Sequence, residues 1–83
     1  MGFIGKLDRA AVLYGGMAER LGVDPAADLA RMPETAGAFR AAILRCAACA
    51  EAEACAGWQV ENAQAGEAPR YCRNRGELQS HRA

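Results

Sequence analysis

Four cysteines lie in the second half of an 83-residue chain, and their spacing limits the possible folds more than any other feature. The pattern is Cys46-x2-Cys49-x5-Cys55-x16-Cys72. Because so short a chain buries only a modest apolar core, its folded state is often stabilised by a cross-link, a metal or a partner. The four thiols are the first candidates for that role.

The rest of the sequence predicts a single domain, residues 1–83, built from helices. Only three valines and two isoleucines occur, and no segment alternates apolar and polar residues as a strand would. Alanine accounts for 20 residues, so large core side chains are few. We expect an all-α fold, a compact bundle of four to five short helices pinned by a four-cysteine centre.

Local signals set the helix boundaries. We expect helices over residues 6–21, 25–31, 34–48 and 52–63, and a final short helix from Asn74. In the first helix, one apolar face is formed by Leu7, Ala11, Tyr14, Met17 (or Ala18) and Leu21. Gly22 is placed to end that helix, and Asp24-Pro25 to begin the next. The pair Gly15-Gly16 predicts that another helix approaches closely there.

The cysteine spacing is compatible with convergence of all four sulfurs. Cys46 and Cys49 are one turn apart at the end of the third predicted helix, and Cys55 begins the fourth. The loop that follows returns Cys72 to the same end. Four converging thiolates are the donor set of an iron–sulfur cluster or a tetrahedral zinc ion.

We interpret the four cysteines as cluster ligands because the small residues beside them leave backbone amides free to hydrogen-bond to sulfur. Trp58 and Tyr71 are then expected to shield the site. The function predicted from the sequence is a small iron–sulfur protein, acting as an electron carrier or redox sensor. The alternative is a structural interaction module without catalytic activity, in which the same cysteines bind zinc or form two disulfides.

Two further readings of the cysteines remain open. The four thiols are free core residues in the simplest case, since cysteine is a common buried residue. A thiol–disulfide oxidoreductase using Cys46-x2-Cys49 is disfavoured because such motifs usually occupy a helix N-terminus, where the dipole lowers the thiol pKa. Here the motif lies at a helix C-terminus.

The segments Cys46-x2-Cys49-x5-Cys55-x2-Trp58 and Ala68-Pro69-x-Tyr71-Cys72-x-Asn74 together resemble a family of small bacterial helical proteins of unknown function. The resemblance extends over nearly the whole chain. It implies that the cysteines form a unit and that the fold is helical. It implies no activity.

Charge and composition restrict the partners. Ten basic residues balance ten acidic ones, whereas a general nucleic-acid-binding protein needs a positive excess. Arg70, Arg73 and Arg75 form a local basic patch, which we expect to dock an acidic redox protein. No triad or phosphate loop is present, which favours a non-enzymatic protein. No membrane span or targeting segment is visible, so we expect a cytoplasmic protein.

Two polar residues near the C-terminus are expected to have structural roles rather than functional ones. Asn74 and Glu77 have the spacing of a capping box, so the Asn74 side chain is expected to cap the last helix. His81 is close to the end of the chain and is expected to be solvated.

Overall fold

A computed structural model describes residues 2–81, with side chains from residue 5 onward. Its elements are α1 (Gly2–Leu21), α2 (Pro25–Arg31), a 3₁₀ turn (Pro33–Thr35), α3 (Ala36–Ala47), α4 (Ala52–Glu61) and α5 (Arg75–Ser80). No strand occurs within residues 2–81. The all-α prediction is confirmed, and the count of five helices lies within the predicted range.

The turn between α1 and α2 follows the sequence signals. Gly22 has a φ of 75°, in the left-handed region that glycine tolerates best. Its N–H bonds to Glu19 O at 3.1 Å, and the N–H of Val23 bonds to Ala18 O at 3.0 Å, which is a Schellman motif. Asp24 then caps α2 by accepting a 3.1 Å hydrogen bond from Ala27 N. The chain therefore reverses tightly and lays α2 beside the end of α1.

Helix α1 is the central element, and its predicted apolar face is buried at Tyr14, Met17 and Leu21 but not at Ala11. Ala10, rather than Ala11, joins Tyr14, Met17, Ala18 and Leu21 in the core, while Ala11 is exposed. Leu7 is half-buried, so the difference is confined to which of two adjacent alanines enters the core. Alanine fits either environment, so the sequence pattern cannot distinguish the two positions.

The other helices pack around α1. Tyr14 of α1 meets Phe39 of α3 edge to face, with ring centroids 5.7 Å apart. Helix α4 approaches at Gly16, where an added Cβ would overlap the side-chain amide of Gln59. The close approach predicted from the glycine pair therefore occurs at Gly16. Gly15 has open space beside it.

The loop 62–74 carries the chain back so that α5 closes the core. Ala65 N bonds to Arg20 O at 2.9 Å, which ties the loop to the end of α1. Leu78 of α5 is 0% exposed, and it packs with Met17 and Ala42 in the core. Within the described part of the chain, no helix has both the length and the apolar character needed to cross a membrane.

Candidate functional site

The four cysteines line one small pocket. Cys46 lies in the last turn of α3, and Cys49 lies in the turn that follows. Cys55 is on α4, and Cys72 precedes α5. The same pocket is also lined by Leu13, Ala52, Tyr71 and Arg73. The helix–turn–helix return and the loop thus bring four thiols, separated by up to 26 positions in sequence, to one place.

Asn74 contacts two of the four sulfurs. Its side-chain Nδ2 donates to Cys46 Sγ at 3.1 Å, and also to Ala42 O at 2.8 Å. Its backbone N–H hydrogen-bonds to the Cys72 thiol. One buried residue therefore supplies donors to the sulfurs of both α3 and the C-terminal segment.

The other two sulfurs also accept N–H hydrogen bonds. Gln59, buried on α4, donates from Nε2 to Cys55 Sγ at 3.4 Å and to Leu13 O at 2.9 Å. The backbone N–H of Glu51 donates to Cys49 Sγ at 3.4 Å. All four sulfurs consequently have a donor. Such donors stabilise negative charge on sulfur, as they do around metal-bound thiolates.

Burial favours the protonated form of three of the thiols, those of Cys46, Cys55 and Cys72. It raises the pKa of Cys46 to about 11, against a partly offsetting hydrogen bond from Asn74. Burial likewise raises the pKa values of Cys55 and Cys72. Repulsion between neighbouring thiolates adds to each shift. A nucleophilic cysteine needs the opposite shift, so the raised pKa of Cys46 argues against a thiol–disulfide oxidoreductase.

The pocket is closely packed. All four cysteines, each within the described residues, are free thiols. The free volume between the lining side chains is ≈ 20 Å³, enough for about one water-sized occupant. Among the residues described, no three His, Cys, Asp or Glu side chains are already arranged to hold a metal ion. The sulfurs therefore share a pocket without adopting coordination geometry.

The two aromatic residues predicted to shield the cysteines have different positions. Tyr71 lines the pocket directly. Trp58 is half-buried and packs against the hydrophobic core, as do Cys46, Cys55 and Cys72. Tyr71 is thus an aromatic wall of the pocket, whereas Trp58 is not among the residues that line it.

The predicted basic patch is divided. Arg70 and Arg73 are exposed, and Arg73 lines the cysteine pocket. Arg75 instead pairs with Glu67 and donates from Nε to Ala68 O at 3.1 Å, which fixes the loop before α5. Two of the three arginines are therefore exposed and unpaired with Glu67, and one of them, Arg73, lies at the pocket.

The structure corrects the prediction for Asn74. It occupies the N-cap position of α5, but its side chain makes no capping hydrogen bond. Its side chain is 0% exposed and points to Cys46, Ala42 and Arg45 instead. The spacing to Glu77 matched a capping box, yet burial beside the thiols decides how the amide is used.

The structure also corrects the prediction that His81 is solvated. Its side chain is 17% exposed and lies between two carboxylates. Nδ1 is 2.5 Å from Asp28 Oδ2 of α2, and Nε2 is 2.6 Å from Glu77 Oε2 of α5. Glu77 also accepts a 2.7 Å hydrogen bond from Tyr14 OH. We call Asp28, His81 and Glu77 the histidine bridge. No local sequence signal joins positions 53 residues apart.

These features define a small all-helical protein whose four cysteines line one amide-rich pocket. The chain belongs to a family of unknown function, DUF6455, whose model matches residues 1–83. This confirms the predicted membership of a family of small domains without assigned activity. No curated protein and no solved structure shows significant similarity to the chain.

Proposed function

We propose that Cys46, Cys49, Cys55 and Cys72 hold an iron–sulfur cluster, and that the protein is a small electron carrier or redox sensor. The observation that carries the proposal is the shared pocket in which every sulfur has an N–H donor. An iron–sulfur cluster supplies reversible one-electron transfer when it is bound. The chain itself supplies the thiolates, and the donors offset their negative charge.

The surroundings support exchange of electrons with a protein partner. Arg73 lines the pocket and Arg70 is exposed nearby in sequence, so an acidic redox protein would dock beside the cysteines. Arg75 contributes by holding the loop through Glu67. A cytoplasmic location forms part of this proposal, because thiols stay reduced there and remain available as ligands.

A structural zinc ion is the second candidate. It is favoured by the free volume of ≈ 20 Å³, which suits one ion better than a cluster. Zinc would join α3, α4 and the C-terminal segment and stabilise the fold. The protein would then be an interaction module without catalytic activity.

Visible absorption and electron paramagnetic resonance of protein purified without oxygen separate these candidates. An iron–sulfur cluster gives a brown protein, whose visible absorption weakens when dithionite reduces it and whose resonance spectrum changes. Colourless protein that contains one zinc would overturn the cluster in favour of the structural module. Colourless protein without metal would contradict both.

A further inference from the structure

We infer that Asn74 is a positioning residue that, together with Arg45, tunes the charge on the Cys46 sulfur of the metal centre. The inference rests on the proposed function, since it concerns a thiolate that binds metal. It assigns to an asparagine and an arginine outside the ligand set a role in how tightly that metal is held.

The first support is that every polar group of the Asn74 side chain is hydrogen-bonded. It is 0% exposed, and it gives up the capping role that its position at the start of α5 offers. Nδ2 donates to Cys46 Sγ at 3.1 Å and to Ala42 O at 2.8 Å. Oδ1 accepts from Arg45 at 3.0 Å. Every hydrogen-bonding group of the amide has a partner.

The second support is that these partners fix the orientation of the amide. The Arg45 guanidinium only donates and the Ala42 carbonyl only accepts. A flipped amide would place its NH₂ against Arg45 and its oxygen against the carbonyl. The N–H group must therefore face the sulfur. Because the guanidinium charge polarises the amide, it also strengthens the N–H as a donor.

The third support is the contrast with Gln59, which donates to Cys55. That contact is longer, at 3.4 Å. Its oxygen lies against Gly16 of α1, where the backbone is helical. Only the Asn74 amide has a guanidinium bonded to its oxygen. The guanidinium charge of Arg45 therefore acts on Cys46 through the Asn74 amide, and we expect the largest effect on sulfur charge at Cys46.

The test is a titration of metal-free protein with Co²⁺ alone, under anaerobic conditions. Co²⁺ bound to thiolates gives a strong sulfur-to-cobalt charge-transfer band, whose energy reports the charge on sulfur. Asn74→Asp keeps the shape but replaces the donor by a carboxylate. We expect Co²⁺ to bind about 10- to 100-fold more weakly, and the band to shift to longer wavelength.

Arg45→Gln gives a second variant in case Asn74→Asp fails to fold, because Arg45 is on the surface. We expect a shift in the same direction and a smaller loss of affinity. The matched controls are Gln79→Glu on α5 and Arg40→Gln on α3, both exposed, which should leave binding and spectrum unchanged.

The outcomes separate this inference from the proposed function. If the wild-type protein binds no Co²⁺ through thiolates, the proposed metal centre is wrong and the inference falls with it. If the wild type binds Co²⁺ but Arg45→Gln and every folded Asn74 variant match it in affinity and band position, only the inference is overturned. Weaker binding without a band shift would also overturn it, since that indicates a purely structural role.

Discussion

The cysteine pocket and the histidine bridge use opposite electrostatic designs within one small domain. In the pocket, burial favours neutral thiols, while N–H donors are placed to stabilise the negative charge that the sulfurs would carry as metal ligands. In the histidine bridge, His81 lies between two carboxylates, and its two ring nitrogens are hydrogen-bonded to Asp28 and Glu77. The N–H donors of the cysteine pocket suit a bound metal, whereas the paired charges of the histidine bridge contribute to the stability of the fold. Helix α5 connects them, with Asn74 at one end and His81 at the other.

The largest expected effect comes from removing one ligand. Cys72→Ser should abolish stable metal binding, because three thiolates and a hydroxyl cannot replace the full donor set. Metal content of the protein, measured after anaerobic purification, checks this. Ala50→Ser, in the exposed turn between Cys49 and Glu51, is the matched control and should retain its metal. Full occupancy in Cys72→Ser would show that this cysteine is not a ligand.

The next effect should disturb both regions at once. Leu78 is 0% exposed on α5, between Asn74 and His81. Leu78→Ala should lower the free energy of unfolding by about 2–5 kcal/mol, through lost burial and the cavity left behind. Urea denaturation followed by circular dichroism measures it. Leu44→Ala removes a side chain that is 50% exposed and should cost much less. Equal losses in the two variants would argue against α5 as part of the core.

A smaller effect should isolate the histidine bridge. His81→Gln removes the charge that faces Asp28 and Glu77, and should lower the free energy of unfolding by about 1 kcal/mol at pH 6. Metal binding should be unaffected, because His81 makes no contact with the pocket residues. Thermal denaturation and Co²⁺ titration of the same sample check both points. A variant with unchanged stability and weakened metal binding would reverse the assignment of the two regions.

The smallest effect is the pH dependence of the stability difference between the wild type and His81→Gln. Burial alone would lower the pKa of His81, but the hydrogen bonds that it donates to Asp28 and Glu77 outweigh burial and raise the pKa above its ordinary value of 6.5. The hydrogen bond from His81, joined by Arg31, lowers the pKa of Asp28 below 3.8. Glu77 also faces Tyr14, whose pKa is raised by burial and by that hydrogen bond.

The sign follows from these shifts. The His81 contribution is complete below about pH 6.5 and is lost as the pH rises through the elevated pKa of the folded state. The Asp28 contribution is present above about pH 4 and is lost as the pH falls. The stability difference between wild type and His81→Gln should therefore be largest between about pH 4 and 6.5. Denaturation midpoints at a series of pH values measure it, and a constant difference would contradict the account.

The sequence predicted that Cys46, Cys49 and Cys55 lie close together because their spacing is local, whereas the return of Cys72 depended on a long loop. Cys46 and Cys49 are one turn apart, and Cys55 follows a turn that the helix pattern already predicted. The end of α1 at Gly22 and the start of α2 at Asp24 were also predicted, since each depends on the backbone or side chain of that one residue.

The features that the sequence did not predict depend on packing between residues far apart in the chain. His81 meets Asp28 across 53 positions, and Asn74 reaches Cys46 across 28. Asn74 even carried a misleading local signal, because its spacing to Glu77 matched a capping box. The burial of Ala10 instead of Ala11 in α1 was equally hidden, since alanine tolerates both environments.

The most direct test of the central claim is the native mass of the protein, purified without oxygen and without added reductant. We expect added mass equal to several irons and sulfides on a chain with four deprotonated cysteines. That mass should disappear in Cys72→Ser. A chain that carries no metal, either with four free thiols or with the mass lowered by two disulfides, would contradict the claim that the pocket is a metal centre.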